Sequence, residues 1–416
     1  VNSIRDNKHQ ERRDRLKAVA EADKKAVETD PDNVSTLVGQ YESEVRRVER
    51  EYEKDIIGPG QQVARYDAMQ QMKIVGPDGA SKTAFVMNYF PEFTNIFSGG
   101  LGWAISSLIY FGGRANSGKT TMMIAIALDI ALSDPNAIVI MHFTDDSFMK
   151  AEPRIKTNIS RMLNPHSDRT LFISEAANPY IEIKDELGWS LYNEADQKFR
   201  ELLATEKLVI IDSEDGTTLS TLERQVRYIR KNHPDSKILI IEDNTYNLSD
   251  FPNLEQTSKM TRISTAQKQM ADKYRACMMA TVEYRKNAAL DTTKLKLPVN
   301  DDIADARALM YRPDAILHVY NDLNDRADAA ETFWFSPHDP TAKRPRLLLL
   351  VSKNKISGFK DKLVVNLDSA IDGKSRYNTV SIIPIHDLAA ARIEDARNIE
   401  IYEELDQEAS EYFEDE

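Results

Sequence analysis

Gly113-Arg114-Ala115-Asn116-Ser117-Gly118-Lys119-Thr120 sets two glycines, a lysine and a hydroxyl at the spacing of a phosphate-binding loop, GxxxxGK[ST]. The backbone amides of such a loop, and the N-terminus of the helix it opens, present partial positive charge to phosphate oxygens. Lys119 would reach the outer phosphates, and the Thr120 hydroxyl would reach Mg²⁺. An apolar run, 107–111, precedes the loop as a predicted strand, and a helix is expected to open near Thr120 and Thr121. Residues 113–121 are therefore expected to bind ATP or another nucleoside triphosphate.

Such a loop needs a carboxylate to hold the metal through water, and Lys237-Ile238-Leu239-Ile240-Ile241-Glu242-Asp243 ends a hydrophobic strand on acids. Asp243 is the expected residue, although strands also end on acids for solvation alone. Hydrolysis further needs a base to orient water, and Phe143-Thr144-Asp145-Asp146-Ser147 follows the apolar run 137–142. Either Asp145 or Asp146 fits; Asp146 is taken as the base, with Asp145 as the alternative and loop capping as the plain reading of both.

The elements that must position these groups read as strand and helix in alternation. Apolar runs at 107–111, 137–142, 207–211, 237–241, 276–281, 315–320, 347–352 and 362–366 are separated by helical stretches. That pattern predicts an α/β fold with a mostly parallel sheet covered on both faces. Ahead of it, residues 1–57 read as a helical hairpin broken at Asp30-Pro31, with Val34, Val38, Tyr41, Val45, Val48 and Tyr52 on one coiled-coil seam. Residues 58–90 read as a linker with a short helix near 61–71 and a Gly76-Pro77-Asp78-Gly79 turn. The ATPase domain is expected over 91–385, and 386–416 as an acidic tail.

At 416 residues and 29% charged, the chain has the composition of a soluble globular protein. Its formal charge of −13 argues against a surface that coats nucleic acid all over, because phosphate contacts come from Lys and Arg. A narrow basic channel remains compatible with it. The single cysteine, Cys277, offers neither a disulfide nor a zinc site, which predicts a reducing compartment. No apolar run is long enough for a membrane span, so a cytoplasmic protein without a membrane partner is expected.

From about residue 90 to 368 the chain resembles the DnaB-type, RecA-fold replicative DNA helicases. The segment Phe93-Thr94-Asn95-Ile96-Phe97-Ser98-Gly99-Gly100-Leu101 is similar to the family's entry segment. The phosphate loop, the acids at Asp145 and Asp146, Asp243, a helix with Arg262-Ile263-Ser264, and the run 305–315 then follow in the family's order. Val351-Ser352-Lys353-Asn354-Lys355 resembles the family's Ala-Lys-Gln-Arg-Asn segment, which implies that Lys353 and Lys355 enter the neighbouring subunit's nucleotide site. Lys355 stands where the family has arginine, and a lysine lacks the planar fork. Thr281-Val282-Glu283-Tyr284-Arg285 replaces Ser-Gln-Leu-Asn-Arg, so Glu283 takes the place of a phosphate-sensing glutamine. The family's glutamate near 146 is an aspartate here, and the charged hairpin is expected in place of the large N-terminal domain of bacterial members. These departures mark a divergent member of the sort phages encode.

The resemblance implies an ATP-dependent hexameric helicase with Mg²⁺, acting on single-stranded and forked DNA, with a primase and a helicase loader as candidate partners. The segments expected to face DNA are 244–259, with Lys259, and 285–301, with Lys286, Lys294 and Lys296. Two rivals stand beside it. One is a RecA-fold ATPase of the KaiC or RadA kind, acting in recombination or protein remodelling without unwinding. The other is an assembly that binds nucleotide without turnover.

Overall fold

The computed structural model describes residues 13–22, 24–25, 41–45, 59–73, 81–97, 102–167, 169–285, 297–305, 309–326, 330–336, 339–372 and 375–384. The chain divides into two units, Val1–Met72 and Lys73–Glu416. In the first, residues 13–22 and 41–45 are helical, and a helix runs Pro59–Lys73, where a short linker helix was expected near 61–71. Of the seam positions only Tyr41 and Val45 are described, both half-buried. The rest of the hairpin seam, the 76–79 turn and the acidic tail lie outside the described residues.

The second unit is built on a sheet with strand order β10-β9-β8-β6-β1-β5-β4-β2-β3, and β7 pairs with β8. The strands are β1 Ser107–Gly113, β2 Ala137–Phe143, β3 Leu208–Ile211, β4 Lys237–Asp243, β5 Ala276–Glu283, β6 Ala315–Asn321, β7 Phe333–Ser336, β8 Asp339–Asn354, β9 Lys362–Asp372 and β10 Ser375–Pro384. From β6 to β3 all six neighbours run parallel. Beyond β6 the sheet continues antiparallel through β8, β9 and β10. All eight expected strands form, and β7 and β10 add to them.

Alternation of side chains sorts each central strand between two cores. Ile109, Phe111, Val139, Met141, Leu239 and Ile241 join one core, while Leu108, Tyr110, Ile138, Ile140, Ile238 and Ile240 join the other. The first core is covered by α1, Lys119–Ser133, α2, Phe148–Leu163, and α3, Glu186–Ala204; the second by α4, Leu219–Asn232, and α5, Gln256–Tyr274. Helix α1 is apolar almost all round because it follows the phosphate loop into the interior. Each of its fully buried Ile and Leu side chains contributes about 1.5–3 kcal/mol.

The segment before β1 is strapped to α1 by buried acids. Asp129 accepts the backbone N–H groups of Asn88, Tyr89 and Phe90, and Asp134 that of Val86. Phe93 and Phe97 pack against Trp103, with ring centroids 5.6 and 5.1 Å away. Among the described residues no helix is long and apolar enough to cross a membrane.

Candidate nucleotide site

The C-terminal ends of β1, β5, β4 and β2 lie side by side, because that is their order in the sheet. Four strand ends therefore deliver, in sequence across the site, the glycine-rich loop, Glu283, Asp243 and the Asp145-Asp146 pair. Open parallel sheets bind ligands at this edge.

The loop leaves β1 at Gly113, where a Cβ would fall 2.5 Å from Ser117 Oγ; only glycine lets the loop close so tightly. Gly118 has φ +96° and caps α1, aiming the helix's unpaired N–H groups back into the loop. Lys119 Nζ folds over the loop and donates to the carbonyls of Gly113, at 3.0 Å, and Arg114, at 2.7 Å. Burial lowers the pKa of that ammonium, and Asp243 and Glu283 pull it back up. The Ser117 hydroxyl is buried with no hydrogen-bond partner. A glycine-lined cradle, an orphaned hydroxyl and a lysine holding carbonyls for want of an anion fit the phosphates of a nucleotide.

Asp243 is held from both sides: Thr120 Oγ1 donates to Oδ2 at 2.6 Å and Thr281 Oγ1 to Oδ1 at 2.7 Å. A hydroxyl and a carboxylate so placed match the way Mg²⁺ is bound beside phosphates, through one or two oxygen ligands and water. Next to it, Asn244 Nδ2 donates to Glu283 Oε1 at 2.7 Å. Glu242, the other acid of the pair, points into the opposite core. Burial pushes its carboxyl up to about 8, and Oε1 accepts from Thr245 and Gln267, whose own Oε1 accepts the Tyr110 hydroxyl at 2.6 Å.

The β2 end is laced to β4 through Thr144, which donates its N–H to Asp243 O at 2.7 Å and its hydroxyl to Asn244 O at 2.9 Å. The two aspartates then part. Burial, with the charges of Asp243 and Asp146, raises the pKa of Asp145, whose Oδ2 accepts from Asn247 at 3.0 Å. Asp146 turns to cations instead, Arg154 at 2.8 Å and Lys150 at 3.8 Å.

A cleft of about 650 Å³ opens over the loop, lined by Gly118, Lys119, Thr120, Arg154, Asn321 and Asn324 among others. Asn324 Nδ2 donates to Ala115 O at 3.3 Å, and Asp325 pairs with Arg114 at 3.8 Å, tying the segment after β6 to the loop. Sequence reading passed over Thr281, Arg154 and Asn324. The first could be found only from the β4–β5 register, which pairs Glu242 with Ala280 and so sets Thr281 beside Asp243.

Lys353 and Lys355 are not brought to this site. In β8, which runs against β6, Leu347 lies opposite Asn321 at the loop end and Asn354 opposite Ala315 at the far end. Lys353 Nζ donates to the Met310 carbonyl, and Lys355 Nζ to Tyr311 O at 3.4 Å. Burial and the neighbouring Lys355 charge bring the Lys353 pKa down to about 8. Lys259 lies in the first turn of α5, half-buried, and not in a loop: Glu255 caps that helix by accepting from Ser258 N–H, so the loop expected over 244–259 ends earlier. Lys286, Lys294 and Lys296 lie outside the described residues.

Two solved structures share this architecture. One, an ATPase domain determined on its own, superimposes with a TM-score of 0.58 at 13% identity, covering 76% of this chain and 96% of its own. The other, a DnaB-like replicative helicase studied with its interactions with primase, gives 0.57 at 14% identity, covering 90% of this chain and 77% of its own. No curated protein matches the chain in sequence. The family model for the DnaB-like helicase C-terminal domain matches residues 86–355, from the segment strapped to α1 through to Lys355. That match spans well over half of the chain and contains every strand end described above: the chain belongs to the DnaB-like helicase family and is an ATP-hydrolysing helicase.

Proposed function

We propose that this chain is the motor of a hexameric replicative helicase that translocates on single-stranded DNA and separates duplex ahead of it. The observation that carries the reading is the position of Lys353 and Lys355 at the sheet edge opposite the chain's own phosphate loop. Cations there cannot serve their own nucleotide and need a neighbouring copy, which a ring supplies at every interface.

In this reading the loop amides and Lys119 hold the β- and γ-phosphates, and the phosphate takes over the lysine from the Gly113 and Arg114 carbonyls. Thr120 and Asp243 hold Mg²⁺, which neutralises charge on the phosphates when bound. Thr281 fixes the Asp243 carboxyl. Asp145 or Asp146 orients the attacking water and accepts its proton; the raised pKa of Asp145 suits a base, whereas Asp146 must first part from Arg154. Glu283 and Asn244 report the state of the terminal phosphate to the segment 285–301, where Lys286, Lys294 and Lys296 track the DNA backbone with Lys259 nearby. The partner's copies of the two lysines stabilise charge on the transferring phosphoryl group.

Residues 1–57 serve as a collar, 58–90 as linker, 91–385 as motor and 386–416 as a solvated tail. The interaction with primase named for the similar DnaB-like helicase extends, in this proposal, to this chain, with a loader as a second partner. Unwinding of a forked duplex by the wild type with ATP, absent in Lys119→Ala, supports the reading. Hydrolysis without unwinding by the assembled protein would replace it with recombination or protein remodelling, and nucleotide binding without turnover with a scaffold.

A further inference from the structure

A hydrogen-bonded chain that takes no part in holding nucleotide joins three of the elements named above. The Tyr284 hydroxyl, one residue past the end of β5, meets His318 Nδ1 at 2.8 Å. His318 Nε2 meets Asn300 Oδ1 at 3.1 Å, and the same oxygen accepts the Ser352 hydroxyl at 2.5 Å. His318 is fully buried in β6. Gly112, on β1 just ahead of the phosphate loop, makes room for it: a Cβ there would come 3.1 Å from His318 Nδ1 and 3.2 Å from the Tyr284 ring.

The polarity of the chain is determined. Tyr284 donates to Nδ1, so the imidazole carries its proton on Nε2 and donates to Asn300, whose carbonyl oxygen has two lone pairs for two donors. Burial keeps the ring neutral, lowering its pKa to about 4. Every group in the chain is satisfied only in this arrangement.

Its members sit at telling places. Tyr284 follows Glu283, the group beside Asn244 and Asp243. Asn300 stands where the segment 285–301 returns to the sheet, and both feet of that segment are pinned together: Arg285 N–H donates to Asp302 O at 2.9 Å, Ala304 N–H to Glu283 O at 2.8 Å, and Tyr284 bridges Ile303. Ser352 precedes Lys353 on β8.

We infer that His318 is a positioning residue that locks the foot of the segment 285–301 to the strand carrying Lys353 and Lys355, so that DNA held by one subunit sets the reach of that subunit's lysines into its neighbour. This rests on the proposed reading of the chain as a DNA motor. A shift of the foot cannot leave β8 where it was, because the Asn300 oxygen would lose both donors at once.

The test compares ATP hydrolysis by the full chain with and without a dT oligonucleotide in wild type, Tyr284→Phe, Ser352→Ala, Ser352→Thr and the Tyr284→Phe/Ser352→Ala double variant. DNA is expected to accelerate the wild type. Each single removal should cut that acceleration about five- to tenfold, the worth of one hydrogen bond, and leave the DNA-free rate unchanged. Ser352→Thr, which keeps the hydroxyl, should restore it. The double variant should lose no more than either single, because the chain is already broken; Tyr284 and Ser352 are linked only through His318 and Asn300. Full acceleration in both single variants, equal loss with and without DNA, or losses that multiply would each overturn the inference and leave the motor reading standing. A wild type that ignores DNA would overturn both. Should Tyr284→Phe fail to fold, Ser352→Ala against Ser352→Thr carries the same decision.

Discussion

Replacing Thr281 with valine should loosen Asp243 without disturbing the strand around it. Valine is as branched and nearly as large, and position 281 is fully buried in the middle of the sheet, so packing survives the change. What is lost is the 2.7 Å hydrogen bond to Asp243 Oδ1. An acceptor left without its donor at a site only 8% exposed costs about 1–3 kcal/mol. The other donor, the Thr120 hydroxyl at 2.6 Å, is the one that turns to Mg²⁺ when nucleotide binds, which leaves Thr281 as the remaining direct hold on the carboxyl. The loss therefore falls on metal binding, and 1–3 kcal/mol corresponds to roughly a 5- to 150-fold rise in the Mg²⁺ needed for half-maximal hydrolysis. The assay is ATP hydrolysis against free Mg²⁺ at saturating ATP, with urea unfolding run beside it. Thr281→Ser, which keeps the hydroxyl and loses a methyl, should cost about 1 kcal/mol of stability and leave the Mg²⁺ curve in place. Wild-type Mg²⁺ dependence in Thr281→Val, or an equal shift in Thr281→Ser, would refute the argument.

Glu242→Gln should flatten the pH dependence of stability. In the folded chain this carboxyl stays protonated to about 8, whereas the unfolded chain releases the proton near 4.5, so wild type loses stability as pH rises through that window and the glutamine does not. Urea midpoints at pH 5 and 8 check it: the variant should gain on wild type at the higher pH, and parallel curves would contradict the burial argument. Asp134→Ala strands the Lys237 ammonium, which pairs with it at 2.6 Å with side chains 5% and 0% exposed, and should cost about 3–5 kcal/mol by thermal or urea unfolding. Lys273→Ala, at an exposed pair with Glu223, should cost under about 1 kcal/mol in the same measurement. Single-turnover hydrolysis separates the aspartates: Asp145→Asn should remove the chemical step while Asp146→Asn keeps a measurable rate, and the reverse order would move the base to Asp146.

The central sheet was legible because each parallel strand is buried on both faces and reads as an unbroken apolar run between helices, as in 237–241. The phosphate loop was legible because its glycines answer to backbone geometry that few residues satisfy, with Gly118 at φ +96°. β7 and β10 were not: β7 is four residues long, and Asn378, Thr379 and Ser381 interrupt β10. The start of α5 was misplaced because its cap is Glu255, a weaker signal than Ser, Thr, Asn or Asp. Thr281, Tyr284, His318 and Asn300 acquire their partners only through strand order, which no local pattern encodes. The fate of Glu242 follows from alternation with Asp243, but the depth of its burial needs α5 packed over it.

Mixing two inactive variants tests the shared-site claim most directly. Lys119→Ala lacks a working phosphate loop and keeps the lysines on β8; Lys353→Ala/Lys355→Ala keeps the loop and lacks the lysines. Neither should hydrolyse ATP alone. In rings formed from equal amounts of both, about a quarter of the interfaces join an intact loop to intact lysines, so hydrolysis should return at about a quarter of the wild-type rate. A Lys353→Ala/Lys355→Ala protein that hydrolyses ATP at the wild-type rate, or mixed rings that stay inactive at every ratio, would contradict the account.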